Sequence, residues 1–199
     1  METVELQLPQ TDQTGRSRIL HEAAVLFLTR GYAETSMRTI ADAVDIRPAS
    51  IYHHFESKDA LLTEILEIGM RAVTSSFDAA SSVPHADGRA RLHAHVEAHL
   101  NALFTNHAFT AAHVTVFAFV PEAVRRSAVP QRDAYEALWT ALLTEIAPHL
   151  STSTLRLVRL ALFGAMNSAV QWFDPREGST DDVAGAIVDT LWNGLGAGA

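Results

Sequence analysis

A short run of the chain crowds Arg47, Ala49, Ser50, Tyr52, His53, His54 and Lys58 together. Their chemistry suits recognition of a polyanion with readable edges. Arginine can read guanine bidentately, serine can bond either type of base, and alanine can touch a thymine methyl. Lys58 and Tyr52 offer a cation and a hydroxyl suited to phosphate oxygens. Ser36 and Arg38 stand just upstream. The candidate DNA-binding set is therefore Ser36, Arg38, Arg47, Pro48, Ala49, Ser50, Tyr52, His53, His54 and Lys58. The alternative is that these are ordinary residues on a helix surface.

Such groups work only if short elements hold them. Ile19, Leu20, Ala23, Ala24, Phe27 and Leu28 recur at helical spacing over residues 15–30, and Gly31 is a plausible stop. Ser36 can cap a second helix carrying Met37, Ile40, Ala41 and Val44. Asp45-Ile46 interrupts it. Pro48 fits the first turn of a third helix, over residues 48–54, because its missing N–H is not needed there. Ile51 and Phe55 then face the core, and Arg47 leaves that helix without a good side-chain cap. Two short helices joined by a tight turn, the second with a polar outer face, make a helix-turn-helix. Ser57 can cap a fourth helix with Leu61, Leu62, Ile65, Leu66 and Ile68 on its apolar side. Lys58 falls in its first turn, where the charge opposes the helix dipole and a phosphate would relieve the conflict.

The stretch Gly31-Tyr32, Thr35-Ser36, Ile40-Ala41, Ile46 and Ile51-Tyr52-His53-His54-Phe55-Glu56-Ser57-Lys58-Asp59-Ala60-Leu61-Leu62 resembles the TetR family of transcriptional repressors. Asp45 stands where the family usually has a turn glycine, and Arg47 where it usually has a serine. The resemblance implies a homodimer on a palindromic operator in double-stranded DNA, released by a small molecule.

Residues 81–88 form a linker rich in Ser, Pro, Asp and Gly. Beyond it the pattern is helical throughout. Leu92, Val96, Leu100, Leu103 and Phe104 mark one helix, and residues 109–120 a further apolar stretch. Residues 132–150, 155–173 and 183–195 mark three more. No strand pattern or repeat appears. Arg132-Asp133, Tyr135-Glu136 and Leu138-Trp139, with Gly164, Asn167 and Trp172-Phe173, resemble a TetR subgroup. Its members often sense hydrophobic carboxylic acids, their coenzyme A thioesters or steroid-like catabolites. A helical bundle with aromatics and a few polar groups suits an apolar ligand. Phe104, Phe117, Phe119, Trp139, Met166, Asn167 and Val170 are the candidates for lining its cavity; plain core is the alternative. Small residues at Ala161, Gly164, Ala165 and Ser168 allow close helix approach. With Leu157 and Leu160, and with Val183, Ile187, Val188, Leu191, Trp192 and Leu195, they are expected at a dimer interface.

His95 and His99 lie one helical turn apart, but the H-E-x-x-H pattern is absent. No metal or cofactor is expected. There is no G-x-S-x-G motif and no P-loop, so an enzyme is the weaker reading.

Composition agrees with these readings. The chain has 199 residues, 48% of them hydrophobic, and no cysteine. Thiol redox sensing and disulfides are thereby excluded. The net charge of −8 is unevenly spread. Residues 14–60 hold six basic and six acidic side chains, whereas residues 61–199 hold nine arginines against fourteen acids. The least acidic part is the one assigned to DNA. No secretory signal or membrane span is apparent, so a cytoplasmic location is expected. The expected fold is all-α: a disordered tail over 1–13, a three-helix helix-turn-helix domain over 14–60, and a larger helical ligand-binding and dimerisation domain over 61–199. The alternative is a helical small-molecule-binding protein or enzyme with an incidental helix-turn-helix.

Overall fold

Side-chain caps start four of the helices. The computed structural model describes residues 15–196; the expectation for 1–13 lies outside them. The helices are Gly15–Arg30 (α1), Met37–Ala43 (α2), Pro48–Ile51 (α3), Lys58–Ser81 (α4), Gly88–Thr105 (α5), His107–Thr115 (α6), Glu122–Ile146 (α7), Thr152–Trp172 (α8) and Thr180–Gly196 (α9). A 3-10 turn spans Phe117–Phe119. No strand occurs among the described residues. Ser36, Ser57, Asp87 and Ser151 each accept a hydrogen bond from the backbone N–H three residues on. Each bond satisfies one of the free donors of a helix start.

The largest departure from the expected boundaries is in α7. The helix assigned to residues 132–150 begins at Glu122 and carries Pro130 inside it. A helix-interior proline removes one bond. Pro130 is exposed, so water can take the carbonyl it leaves behind, and the helix continues.

Two apolar clusters form the interior. Ile19, Leu20, Ala23, Phe27, Ile40, Ala41, Ile51 and Phe55 make the first, closed by Phe109, Ala112, Val116 and Phe117. Leu92, Val96, Leu100, Tyr135, Trp139, Leu142, Leu162, Met166 and Val188 belong to the second. α4 threads both. Leu61, Leu62, Ile65 and Leu66 enter the first cluster, and Met70, Val73 and Phe77 enter the second. The sequence division at 60/61 therefore falls inside one continuous helix. α4 and α6 touch backbone to side at Gly69, where an added Cβ would lie 2.6 Å from the Phe109 carbonyl oxygen.

The last two helices share their apolar residues unequally. On α9, Ala184 and Val188 are fully buried, and Val183, Ile187, Leu191 and Trp192 pack against the second cluster. On α8, Leu157 and Leu160 remain 66% and 51% exposed, and nothing lies within 4 Å of a Cβ built on Gly164. The open apolar face thus sits mainly on α8.

Candidate nucleic-acid interface and effector cavity

The turn between α2 and α3 is set by Asp45. Its φ is 56°, a left-handed conformation that aspartate tolerates better than most residues. The Ile46 N–H returns to the Ala41 carbonyl at 3.0 Å and closes the turn. α3 is shorter than expected: Pro48–Ile51, then turns to His54. Arg47 is its N-cap and makes no side-chain capping bond. With no local partner, its guanidinium is available to something outside the chain.

Every sequence-derived DNA candidate lies at one end of the molecule. Ser36, Arg38, Arg47, Pro48, Ala49, Tyr52, His53 and His54 are exposed, and Ser50 is half-buried. Ile51 and Phe55 are buried beneath them. Tyr52 is 56% exposed, unusual for a large aromatic without an apolar neighbour to cover it. Arg38 makes only a loose pair with Asp42 at 3.9 Å. Ser36 spends its oxygen on the Thr39 N–H and also meets the Thr39 hydroxyl, at 2.8 Å. Thr39 was missed from the sequence, and only its spacing from Ser36 could have marked it.

Lys58 is placed differently from the expectation. Its Nζ donates to the carbonyls of Tyr32 (2.8 Å) and Thr35 (2.9 Å) and sits 4.1 Å from the Tyr32 ring centroid. Turning away from the helix end relieves the dipole conflict without a phosphate. The ammonium pins the α1–α2 loop and keeps one of its three N–H donors for another partner. The Tyr32 hydroxyl donates to Asp59, and burial, reinforced by that bond, raises the Tyr32 pKa well above its ordinary value. Arg16 pairs with Glu64, one contact at 2.6 Å, and stacks over Phe55, tying α1 to α4. The DNA-facing end is thus held rigidly to the start of α4.

In the other half, a cavity of about 150 Å³ is lined by Gly69, Met70, Val73, His99, Leu103, Thr110, His113, Val114, Arg132, Tyr135, Glu136, Phe163 and Asn167. Of the seven pocket candidates, only Asn167 lines it. Phe117 stands behind its wall, between His113 and the Arg132 guanidinium. Trp139 and Met166 are completely buried members of the second cluster, so they are core. Phe104 and Val170 line a separate open groove of about 640 Å³ with Phe173 and Arg176. Phe119 is 79% exposed on the 3-10 turn and does not line this cavity. Helical periodicity could identify these side chains as apolar, but not say which of them ring a void.

Among the cavity's polar groups Asn167 was a candidate, whereas Thr110, His113, Arg132, Tyr135 and Glu136 were not. His99 sits between the Tyr135 hydroxyl (2.8 Å, at Nδ1) and the Asn167 Oδ1 (3.3 Å, at Nε2). Burial lowers its pKa to about 4, so it is neutral near pH 7. Burial also raises that of Tyr135. His113 bonds the Leu66 carbonyl through Nε2 at 2.7 Å, and burial holds its pKa down to about 4. At the rim, Glu136 lies 3.5 Å from Arg132 Nε and 3.0 Å from Arg159.

His95 and His99 do not converge on one point. His95 spends its nitrogens on Ser81 (2.9 Å) and the Arg91 carbonyl (2.7 Å). His93, Glu97 and Asp181 do come within 4.8 Å of one another, with His93 and Asp181 3.4 Å apart. These groups are half-buried or exposed, and an ordinary surface ion pair between His93 and Asp181 accounts for them.

Comparison with known proteins agrees with this geometry. Residues 19–65 match the model "bacterial regulatory proteins, tetR family", and residues 85–195 match "tetracyclin repressor-like, C-terminal domain". The transcriptional repressor KstR2 of Rhodococcus jostii is 45% identical over 62 residues, which cover 29% of this chain and 30% of that protein. The match thus spans under a third of that relative's length. Among solved structures, the TetR-family regulator PfmR of Thermus thermophilus has a TM-score of 0.77 at 28% identity, covering 90% of this chain and 96% of that one. AibR, solved with isovaleryl coenzyme A and operator DNA, has a TM-score of 0.77 at 21% identity, covering 89% and 98%. At that identity the likeness concerns the fold alone. No described helix is long and apolar enough to cross a membrane.

Proposed function

Because the chain belongs to the tetR family of bacterial regulatory proteins, we propose that it represses transcription as a homodimer on a palindromic operator and leaves DNA when a small hydrophobic effector fills the cavity beside α4. One observation carries the reading. α4 runs unbroken from Lys58, beside the helix-turn-helix, to Met70 and Val73 in the cavity wall. A rigid element shared by both sites gives an effector a route to the DNA-facing helices. The effector must bind the DNA-incompetent state better, since only differential affinity shifts the equilibrium. AibR, with its acyl thioester and operator, offers a precedent for this pairing in the same fold.

Two copies are needed for a palindrome, with recognition helices about 34–36 Å apart or a multiple of that. The exposed Leu157, Leu160 and the open side of Gly164 support α8 as the face that meets the partner. Gly164→Arg is the decisive variant because its side chain enters empty space within the monomer. It is expected to fold normally, sediment as a monomer and lose operator binding in a gel shift. A variant that stays dimeric moves the interface elsewhere. A wild-type protein without preference for any palindrome near its own gene overturns the regulator reading.

A further inference from the structure

The hydrogen-bonding of His113 restricts what the cavity can hold. A carbonyl oxygen only accepts, so the bond from Nε2 to Leu66 O places the ring proton on Nε2. Nδ1 is then a bare acceptor. It is buried and has no hydrogen-bond partner. An unpaired buried acceptor costs on the order of 1–3 kcal/mol, and the ring that carries it lines the cavity. Protonation does not relieve it near neutrality, because burial keeps the ring neutral. The other buried imidazole of the wall, His99, has both nitrogens engaged. His113 is therefore the wall residue that still wants a donor.

The rim asks for the opposite chemistry. Arg132 lines the cavity, and its Nε is buried with no hydrogen-bond partner. Its neighbour Glu136 is shared with Arg159. Glu136 must serve both cations, so the Arg132 guanidinium keeps N–H donors for an anion. Size sets the third condition. An engineered apolar cavity of about 150 Å³ takes up benzene, and this one has the same volume. One ring or a short branched chain fills it, and a steroid nucleus or a long acyl chain would have to extend beyond it. The remaining wall, with Met70, Val73, Leu103 and Phe163, is apolar.

We propose that the effector is a compact, single-ring carboxylic acid bearing a hydrogen-bond donor, such as a phenolic hydroxyl, which His113 Nδ1 accepts while Arg132 takes the carboxylate. This deepens the regulator reading and rests on it for its consequence: occupancy is felt at Leu66, on α4.

The test is calorimetric titration of the full-length protein, without DNA, with the three hydroxybenzoate isomers, the matching fluorobenzoates, benzoate and an oleoyl thioester. Fluorine keeps the size of the hydroxyl and cannot donate. At least one hydroxybenzoate is expected to bind tenfold or more tightly than its fluoro partner. In His113→Phe that advantage disappears, while Arg132→Gln weakens both members of the pair alike. Equal binding of the wild type to hydroxy and fluoro compounds overturns the donor assignment even if His113→Phe fails to fold. Preference for the oleoyl thioester over every single-ring acid overturns the size assignment. Neither result touches the regulator reading, which is scored separately by operator gel shift.

Discussion

The two ends of α4 differ in how completely their polar groups are used. At the DNA-facing end, Ser36 and Ser57 cap their helices, Thr35 donates to the Gly31 carbonyl, and Lys58 spans two carbonyls. Among the described residues, only His21 Nδ1 is left buried without a hydrogen-bond partner there. At the cavity end, His107 Nδ1, His113 Nδ1, Trp139 Nε1 and Arg159 Nε are buried without hydrogen-bond partners, and Arg132 Nε has only its 3.5 Å ion pair with Glu136. Buried polar atoms are ordinarily satisfied, and each exception asks for an explanation. A surface that reads DNA must be rigid before it arrives. A cavity that responds to a ligand gains by leaving bonds for the ligand to make. The contrast assigns rigidity to one end and responsiveness to the other.

The largest effect expected from this difference is a dependence on pH. His99 and His113 are held neutral by burial, their pKa values lowered from 6.5 to about 4. The unfolded chain binds protons at these sites once pH falls below the ordinary value, and the folded protein does not. Stability is therefore full above about pH 6.5 and falls as pH drops toward 4. The loss approaches about 1.4 kcal/mol per pH unit for each histidine. Urea unfolding midpoints between pH 7.5 and 5 measure it. Near-UV circular dichroism, which follows Trp139 and Tyr135, is expected to fade first if the cavity end loosens before the DNA-facing end. A flat profile over that range would mean that neither histidine is as dry as the geometry shows.

A smaller effect is expected where the two ends meet. Gly69 allows α4 to lie against the Phe109 carbonyl, and a methyl at 2.6 Å cannot be accommodated without moving the α6 backbone. Gly69→Ala improves helix propensity by about 1 kcal/mol. Overpacking costs about 1–3 kcal/mol, and the obstacle here is backbone rather than a side chain that can swing away. The net expectation is a destabilisation of about 1–2 kcal/mol in chemical denaturation, with ligand affinity changed and operator half-site preference retained. An unchanged or raised stability would show that α6 is free to shift, and would weaken the case for a rigid link between cavity and DNA.

The same contrast explains what the sequence could and could not disclose. Capping, turn and breaker residues act locally, so Ser36, Asp45, Pro48 and Ser57 announced the helix-turn-helix and the start of α4. The exposed set from Arg47 to His54 followed from which residues had to point inward. The cavity depends instead on where five helices happen to leave space. Phe117, Trp139 and Met166 have the right chemistry for a pocket and ended as wall backing or core. Phe163 and Met70 ring the void with no mark in the sequence to separate them from their neighbours, and Tyr135 stood in the subgroup-like stretch without a sign that it faces the void. His113 has no second histidine at metal-ligand spacing to mark it. Its partner is a backbone carbonyl 47 residues away, which no local pattern reveals. The unexpected start of α7 has a different origin: Pro130 reads as a breaker, and its exposure is what makes it tolerable.

The smallest expected effect tests how finished the DNA-facing end is. Asp45 holds a φ of 56° at the turn between α2 and α3. A left-handed conformation costs a residue with a Cβ about 1–2 kcal/mol, less for aspartate than for most. Asp45→Gly removes that cost, but gives the unfolded chain more freedom to lose, which offsets roughly 0.5–1 kcal/mol. The two terms nearly cancel, so the change is expected within about 0.5 kcal/mol of zero. Asp45→Val is the sharper comparison, because a β-branched side chain at this φ is a genuine outlier. It is expected to destabilise by about 1–2 kcal/mol and to lower affinity for specific and random DNA together, since it disturbs the angle between α2 and α3 rather than any base contact. Were Asp45→Val to keep both stability and operator affinity, the turn would be adjustable, and the rigidity assigned to this end would have to come from α1 and α4 alone. Loss of operator preference at unchanged stability would instead place Asp45 itself against the DNA, a role its exposed carboxylate makes electrostatically unfavourable.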